Sequence, residues 1–207
     1  MGETARKGHA LPQNMTDEDG YEIGVDFLMK LINGCREITG APVKVYNVTN
    51  DNHSPLMGYI ICSTVQKICQ AKYSDVDVIL MRSYINHYKV GRHTFILSHG
   101  KDAAHLKFGF KPQLDDRGKD KIEEYMKHYK INGQESFVTF EKGDSHLQLL
   151  DSASSDDFHY NNYMAFSPAS GWVQHNFKKS RSGFNLMVVD PNKDERTLTP
   201  YYFPWTS

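Results

Sequence analysis

Apolar residues recur at helical spacing in three stretches of the chain, and shorter apolar runs lie between and after them. The helical pattern predicts amphipathic helices at about 21–38, 56–71 and 116–130. The shorter runs are rich in β-branched and aromatic residues and are bounded by turn residues, so they predict strands. These strands lie at about 43–48, 76–81, 86–90, 94–98, 137–140, 147–150, 163–167 and 184–189. Helices and strands alternate before residue 140 and strands dominate after it, which predicts an α/β fold with mixed sheets flanked by helices.

Length and composition bound the organisation of the chain. Its 207 residues can bury a core without disulfides or a structural metal. Residues 1–20 are polar and rich in Gly, Pro, Asn and Asp, which predicts an irregular segment, and we expect a single domain over 21–207. The apolar runs are too short for a membrane span, and the first residues lack the apolar core of a secretory signal. Three cysteines without zinc-site spacing, Cys35, Cys62 and Cys69, indicate reduced thiols in a cytoplasmic protein.

The charge balance gives no global attraction to nucleic acid or membrane. The chain has 24 Lys and Arg against 25 Asp and Glu, a formal net charge of −1, so only a local patch could bind a polyanion. Its 10 histidines are a high count, and several follow predicted strands next to Gly, Asp or Asn. This placement is the first indication of metal chemistry.

Three polar loops combine an imidazole with hard oxygen ligands. They follow predicted strands and span residues 49–54, 99–102 and 143–146. Loops at the carboxyl ends of strands are where sites gather in α/β sheets. Imidazole together with carboxylate or amide oxygen suits Mn, Fe, Zn or Mg. Each loop taken alone is more often a polar turn whose histidine caps or is solvated, and the order of all three favours a site.

The stretches around these loops resemble a known family. They read VKVYNVTNDNHSPLMGYI, HYKVGRHTFILSHGKDAAH, FVTFEKGDSHLQLL and, near the end, FSPASGWVQHNFKKSRSGFNLMVVD. They are similar to the Asn-His, lone-His and Gly-His-x-His segments and the closing part of calcineurin-like metallophosphoesterases, particularly the branch of phage and bacterial DNA-repair exonucleases. The resemblance covers about residues 20–203. It implies an incomplete metallophosphoesterase sandwich.

The resemblance also implies roles for particular residues. It makes Asn52 and His99 metal ligands and His53 the histidine that donates to the phosphate or its leaving group. Asp144 stands where the family has the first His of Gly-His-x-His, and His146 matches the second. Ahead of Asn52 the chain has no Asp-x-His followed by Gly-Asp, so the bridging Asp and the other ligands of one ion are lacking.

The expected function follows from this incomplete set. Asn52, His99 and Asp144 are compatible with one divalent cation, Mn before Fe, Zn or Mg, with His146 left from a second ion. The first hypothesis is a split metal-dependent phosphoesterase, acting on phosphodiesters or phosphomonoesters and possessing nuclease-like features. A complementing chain or a second copy would then be needed for full activity. The second is a catalytically inactive scaffold, or pseudoenzyme, without a metal, used for binding or assembly. The third is an unrelated α/β domain with polar turns.

Substrate and setting stay open at this level. Nucleic acid, nucleotides and phosphoproteins are all compatible with the scaffold, and a membrane is not expected as a partner. A phage-encoded protein of this kind would work in the cytoplasm of its host.

Overall fold

The computed structural model describes residues 4–6, 9–10, 15–51, 55–101, 108, 111–167 and 181–204. These residues form two compact units, one from the part of the chain up to Ser83 and one from the part that begins at Tyr84. Two compact units can belong to one domain, so the single domain predicted over 21–207 stays a prediction. None of the helices in the described ranges is long and apolar enough to cross a membrane.

The first unit is built around a parallel pair of strands. Its elements are β1 Thr4–Arg6, β2 His9–Ala10, α1 Asp17–Thr39, β3 Val43–Val48, α2 Pro55–Lys72 and β4 Val76–Met81. Strands β3 and β4 pair in parallel, with α2 as the crossover between them. Strands β1 and β2 pair antiparallel within the segment that we expected to be irregular. The two predicted helices and two predicted strands of this unit are present.

Helix α1 begins four residues before the predicted start because a capping box precedes it. The Thr16 hydroxyl accepts from the amide of Asp19 at 3.1 Å, and the Asp19 carboxylate accepts from the amide of Thr16 at 3.2 Å. The helix ends at Gly40, whose φ of 62° is left-handed and whose amide donates to the Arg36 carbonyl at 2.9 Å.

Side chains of both helices pack with one face of the β3–β4 pair. Alternation along the strands puts Val76 and Val78 on the same face, where they are buried with Ile32 of α1 and with Val65 and Cys69 of α2. The thiols of all three cysteines are free, as expected for reduced thiols.

The second unit is a five-stranded mixed sheet covered by one helix and one hairpin. Its elements are β5 Asn86–Val90, β6 His93–Ser98, α3 Asp116–His128, β7 Phe137–Lys142, β8 Leu149–Asp151, β9 His159–Asn162, β10 Gly183–Val189 and β11 Arg196–Tyr202. The strand order is β5-β6-β7-β9-β8. Strands β6, β7 and β9 are parallel, and β5 and β8 are antiparallel to their neighbours.

One strand lies earlier than predicted. The sequence indicated a strand at 163–167, whereas β9 occupies His159–Asn162 and pairs with β7. Because Asn161 and Asn162 are polar, this strand does not form an apolar run in the sequence. Asn162 is nevertheless buried, since its side-chain amide donates to the Leu147 carbonyl.

The two faces of the second sheet carry alternate residues of each strand. Ile96, Val138 and Phe140 lie on the face that packs with Ile122 and Met126 of α3. This cluster is the core of the second unit.

The β10–β11 hairpin lies on the opposite face. Arg196 Nη1 donates to Thr139 Oγ1 at 2.7 Å. His93 Nε2 donates to the carbonyls of Asp190 and Lys193, at 2.8 and 2.9 Å. The buried ring of His93 therefore holds the turn of the hairpin against the start of β6. Both units together confirm the predicted α/β class, with mixed sheets flanked by helices.

Candidate functional site

His99 and Asp144 meet at the carboxyl edge of two neighbouring parallel strands. The last paired residues of β6 and β7 are Ser98 and Lys142, so His99 and Gly143 leave the sheet side by side. The His99 carbonyl accepts from the amides of Asp144 at 2.8 Å and Gly143 at 3.3 Å. Their side chains approach to 3.7 Å between His99 Nε2 and Asp144 Oδ1, and both are largely buried. The structure thus brings these two predicted site residues together.

His146 follows in the same turn. Its amide donates to the Gly143 carbonyl at 3.1 Å, and its φ of 57° is left-handed. A non-glycine residue rarely adopts this conformation, although His does so more readily than β-branched residues. The turn therefore holds residues 143–146 through the backbone, and the metal-ligand role of His146 stays a prediction.

The remaining two predicted site residues, Asn52 and His53, lie outside the described residues. Strand β3 ends at Val48 and the described chain continues to Asp51. The ligand role of Asn52 and the donor role of His53 therefore stay predictions.

Gly100 allows the two loops to approach closely. Its φ is +110°, and a Cβ there would lie 2.7 Å from Lys142 Cγ and 2.8 Å from Asp144 Cβ. Both the conformation and the space thus require glycine. From the sequence, Gly100 is predicted only as part of the loop over residues 99–102. A glycine that follows a strand and a candidate ligand is itself a signal for close backbone approach.

Lys142 adds a buried positive charge beside this pair. The side chain is 1% exposed, and Nζ donates to the Lys111 carbonyl at 3.2 Å. Burial lowers the pKa of Lys142, and the negative charges of Asp144 and Asp115 oppose that shift. Lys142 is not among the site residues predicted from the sequence. Its signal is the alternation in β7, where Val138, Phe140 and Lys142 share the buried face.

The geometry of His99 and Asp144 fits two ligands of one cation. Ligands of a tetrahedral ion lie about 3.4 Å apart when each bond is about 2.1 Å, close to the observed Nε2–Oδ1 distance. An imidazole and a carboxylate also suit the harder transition metals. Within the described ranges, no group of three or more His, Cys, Asp or Glu side chains could hold a metal ion. The described part of the site therefore holds one imidazole, one carboxylate and an adjacent ammonium.

Comparisons with known proteins give weak similarity. No protein-family model matches the chain. No curated protein matches it. Solved structures of Vps29 from Entamoeba histolytica match at 14% identity. A single-site variant has a TM-score of 0.42 and covers 86% of this chain and 89% of its own.

Two further Vps29 structures cover more of both chains. The zinc complex of the wild-type protein has a TM-score of 0.41, and a double-site variant has 0.42; each covers 98% of this chain and 96% of its own, at 14% identity. Vps29 has the calcineurin-like metallophosphoesterase fold. At these TM-scores the similarity assigns this chain neither a family nor an activity.

Proposed function

We propose that this chain is a metal-dependent phosphoesterase-like protein that binds one divalent cation and needs a complementing chain for full activity. The observation that carries the proposal is the 3.7 Å approach of His99 Nε2 to Asp144 Oδ1 at adjoining strand ends. The motif resemblance supports it independently, because it selected the same two residues from sequence. The resemblance adds Asn52 and His146 to the ligands and His53 as the donor to the phosphate.

The donor set favours Mn, with Fe, Zn or Mg as alternatives. When bound, such an ion supplies Lewis acidity toward a phosphate oxygen and lowers the pKa of a bound water. His99 and Asp144 would hold it, and Gly100 keeps their two loops in register. The substrate class is a phosphodiester or phosphomonoester, with nucleic acid and nucleotides as the candidates from the exonuclease-like resemblance.

The need for a partner follows from charge. Attack on a phosphate brings a nucleophile toward an already anionic centre, and the resembled family compensates with two cations. Residues 1–51 contain no Asp-x-His followed by Gly-Asp, the motifs that carry the bridging Asp in the resembled family. One cation leaves much of the developing charge uncompensated, so turnover by the chain alone should be weak.

A specific observation favours the second candidate, a catalytically inactive scaffold for binding or assembly. The buried ammonium of Lys142 already interacts with Asp144. A resident positive charge can satisfy that carboxylate without any metal, and it also repels an incoming cation.

Titration with Mn²⁺ and a diesterase assay separate the two candidates. The purified chain should bind about one Mn²⁺ per molecule, and His99→Ala and Asp144→Ala should each weaken binding at least about tenfold. Exposed His128 on α3 provides the matched control, and His128→Ala should leave the affinity unchanged. Hydrolysis of bis-p-nitrophenyl phosphate should be weak without a partner.

Two results would contradict the proposal. Absence of saturable Mn²⁺ binding would leave the scaffold as the function of these loops. Robust diester hydrolysis by the chain alone, lost in His99→Ala, would show that no complementing chain is needed.

A further inference from the structure

A concave site lies in the second unit, between its sheet and the β10–β11 hairpin, and neither His99 nor Asp144 lines it. This open cavity has a volume of about 510 Å³, within the range of about 300–1,000 Å³ that is typical of ligand pockets. Five aromatic residues contribute to its walls: Tyr88, Phe95, Tyr163, Phe166 and Phe184. Aliphatic side chains of β10 complete much of the rest. Such a lining suits a mainly apolar ligand.

Among the described residues that line this cavity, Glu141 is the one acidic side chain. It belongs to β7, whose alternation turns Glu141 away from the α3 face that holds Phe140. The Tyr163 hydroxyl donates to Glu141 Oε1 at 2.7 Å, and the Asn161 side-chain amide in turn donates to the Tyr163 hydroxyl at 3.3 Å. The donor chain thus fixes one carboxyl oxygen. A carboxylate has about four acceptor positions, so further donors can be accommodated.

The surroundings make an isolated negative charge at Glu141 costly. Burial raises its pKa to about 7, and the Tyr163 hydrogen bond and the positive charge of Arg196 oppose that rise. Arg196 is not a lining residue of the cavity and donates to Thr139. A cation inside the cavity would therefore supply compensation that the protein only partly provides.

We infer that this cavity binds an organic ammonium ion with an apolar body, its nitrogen against the Glu141 carboxylate and its body among the aromatic rings. Aromatic faces attract cations, and this attraction is stronger when water is excluded. An anion would be repelled by Glu141, and a neutral apolar molecule would add no counter-charge to the buried carboxylate. The inference is independent of the proposed phosphoesterase function, because it uses neither His99 nor Asp144.

Paired probes test this inference. The probes are 2-phenylethylamine and its neutral analogue 2-phenylethanol, titrated into the full chain and followed by calorimetry and ligand-observed NMR. At about pH 8 the amine should bind with one-to-one stoichiometry and at least about tenfold more tightly than the alcohol. Glu141→Gln should remove that preference. Glu124→Gln, an exposed acid on α3, should leave it intact.

The pH dependence gives a second readout. Binding of the amine should strengthen from about pH 6 to about pH 8 as Glu141 ionises, since an alkylammonium stays charged throughout. Among the other groups that face Glu141, burial lowers the pKa of His159 and raises that of Tyr163. Arg196 is a guanidinium, which stays charged, and Tyr88 of β5 lines the cavity. Loss of charge on His159 would act in the same direction, so the pH dependence should disappear in Glu141→Gln, and its persistence there would contradict the inference.

Several outcomes would overturn the inference. These are equal affinity for amine and alcohol, unchanged binding in Glu141→Gln, or no saturation at any soluble concentration. Met187→Trp places a large ring where β10 lines the cavity and should abolish binding of both probes. Persistent amine binding in that variant would locate the ligand elsewhere.

Discussion

Two regions of the second unit bury groups of opposite charge, and strand β7 contributes to both. The carboxyl edge of the sheet buries a lysine, and the hairpin face buries a glutamate. At the carboxyl edge of the sheet, loop register joins His99 and Asp144, and the buried Lys142 stands beside them. On the hairpin face, Glu141 lies among aromatic walls with one tyrosine donor. Neighbours in sequence, Glu141 and Lys142, thus point to opposite faces. Alternation in a strand can place an acid and a base in separate environments.

The edge region depends on a close backbone approach that the hairpin face does not need. We expect Gly100→Ala to cost about 2–4 kcal/mol of unfolding free energy, because a Cβ there meets Lys142 and Asp144 in a left-handed conformation. Urea denaturation measures this cost. Gly143→Ala is the matched control, since a Cβ at Gly143 meets nothing within 4 Å. Equal effects of the two changes would contradict this account of the loops.

The contribution of the hairpin face to the free energy of unfolding should depend on pH. Glu141 has a folded pKa of about 7 against an ordinary 4.5, so the folded state holds this proton more strongly than the unfolded state. Stability from this group is therefore full below about pH 4.5 and is lost as the pH rises toward 7. Glu141→Gln should remove that loss and add roughly 2 kcal/mol at about pH 8, with little change at about pH 4. Urea denaturation at both pH values checks this, with Glu124→Gln as the control; a pH-independent effect would contradict it.

A Lys142 variant tests whether the positive charge of this side chain weakens metal binding at the carboxyl edge of the sheet. Lys142→Met removes the ammonium while keeping most of the buried stem, so Mn²⁺ affinity should rise about tenfold. Calorimetric titration measures the change. Lys127→Met removes an exposed charge from α3 and should have little effect. Weaker Mn²⁺ binding in Lys142→Met would show that Lys142 supports the site instead of competing for Asp144.

Tyr163 gives the smallest expected change. Tyr163→Phe removes the donor to Glu141 and should cost about 1 kcal/mol at about pH 8, where the carboxyl is charged, and less at about pH 5. The hydrogen bond from Tyr163 favours the charged form of Glu141, so its loss should raise the pKa of Glu141 further. The pH at which stability is lost should therefore also rise. Tyr201→Phe, a partly exposed tyrosine of β11, is the control. A larger cost at the lower pH would contradict the assigned direction.

The edge site was within reach of sequence reasoning, and the hairpin face was not. The apolar runs at 94–98 and 137–140 predicted β6 and β7, and two parallel strands that end together bring His99 and Asp144 into contact. The Glu141 cavity depends on long-range packing that local patterns do not encode. Tyr163 follows β9, a strand that the polar residues Asn161 and Asn162 made hard to predict. The outer wall of the cavity comes from β10. The amino acids at 137–142 give no local sign that Glu141 faces an apolar cavity.

The His93 anchor has a consequence for the order of assembly during folding. His93 bonds carbonyls of Asp190 and Lys193, residues 97 and 100 positions later in the chain. Closing so long a loop is entropically costly, and contacts of this range slow folding. We therefore expect the hairpin to dock late. The Arg92 amide donates to the Pro191 carbonyl of the hairpin turn at 2.7 Å, so pulse-labelled hydrogen exchange would detect late docking as delayed protection of this amide. If the hairpin docks late, the side chains of Phe95 and Glu141 are exposed to solvent before that step. A newly made chain would then present a transient apolar surface that chaperones can recognise.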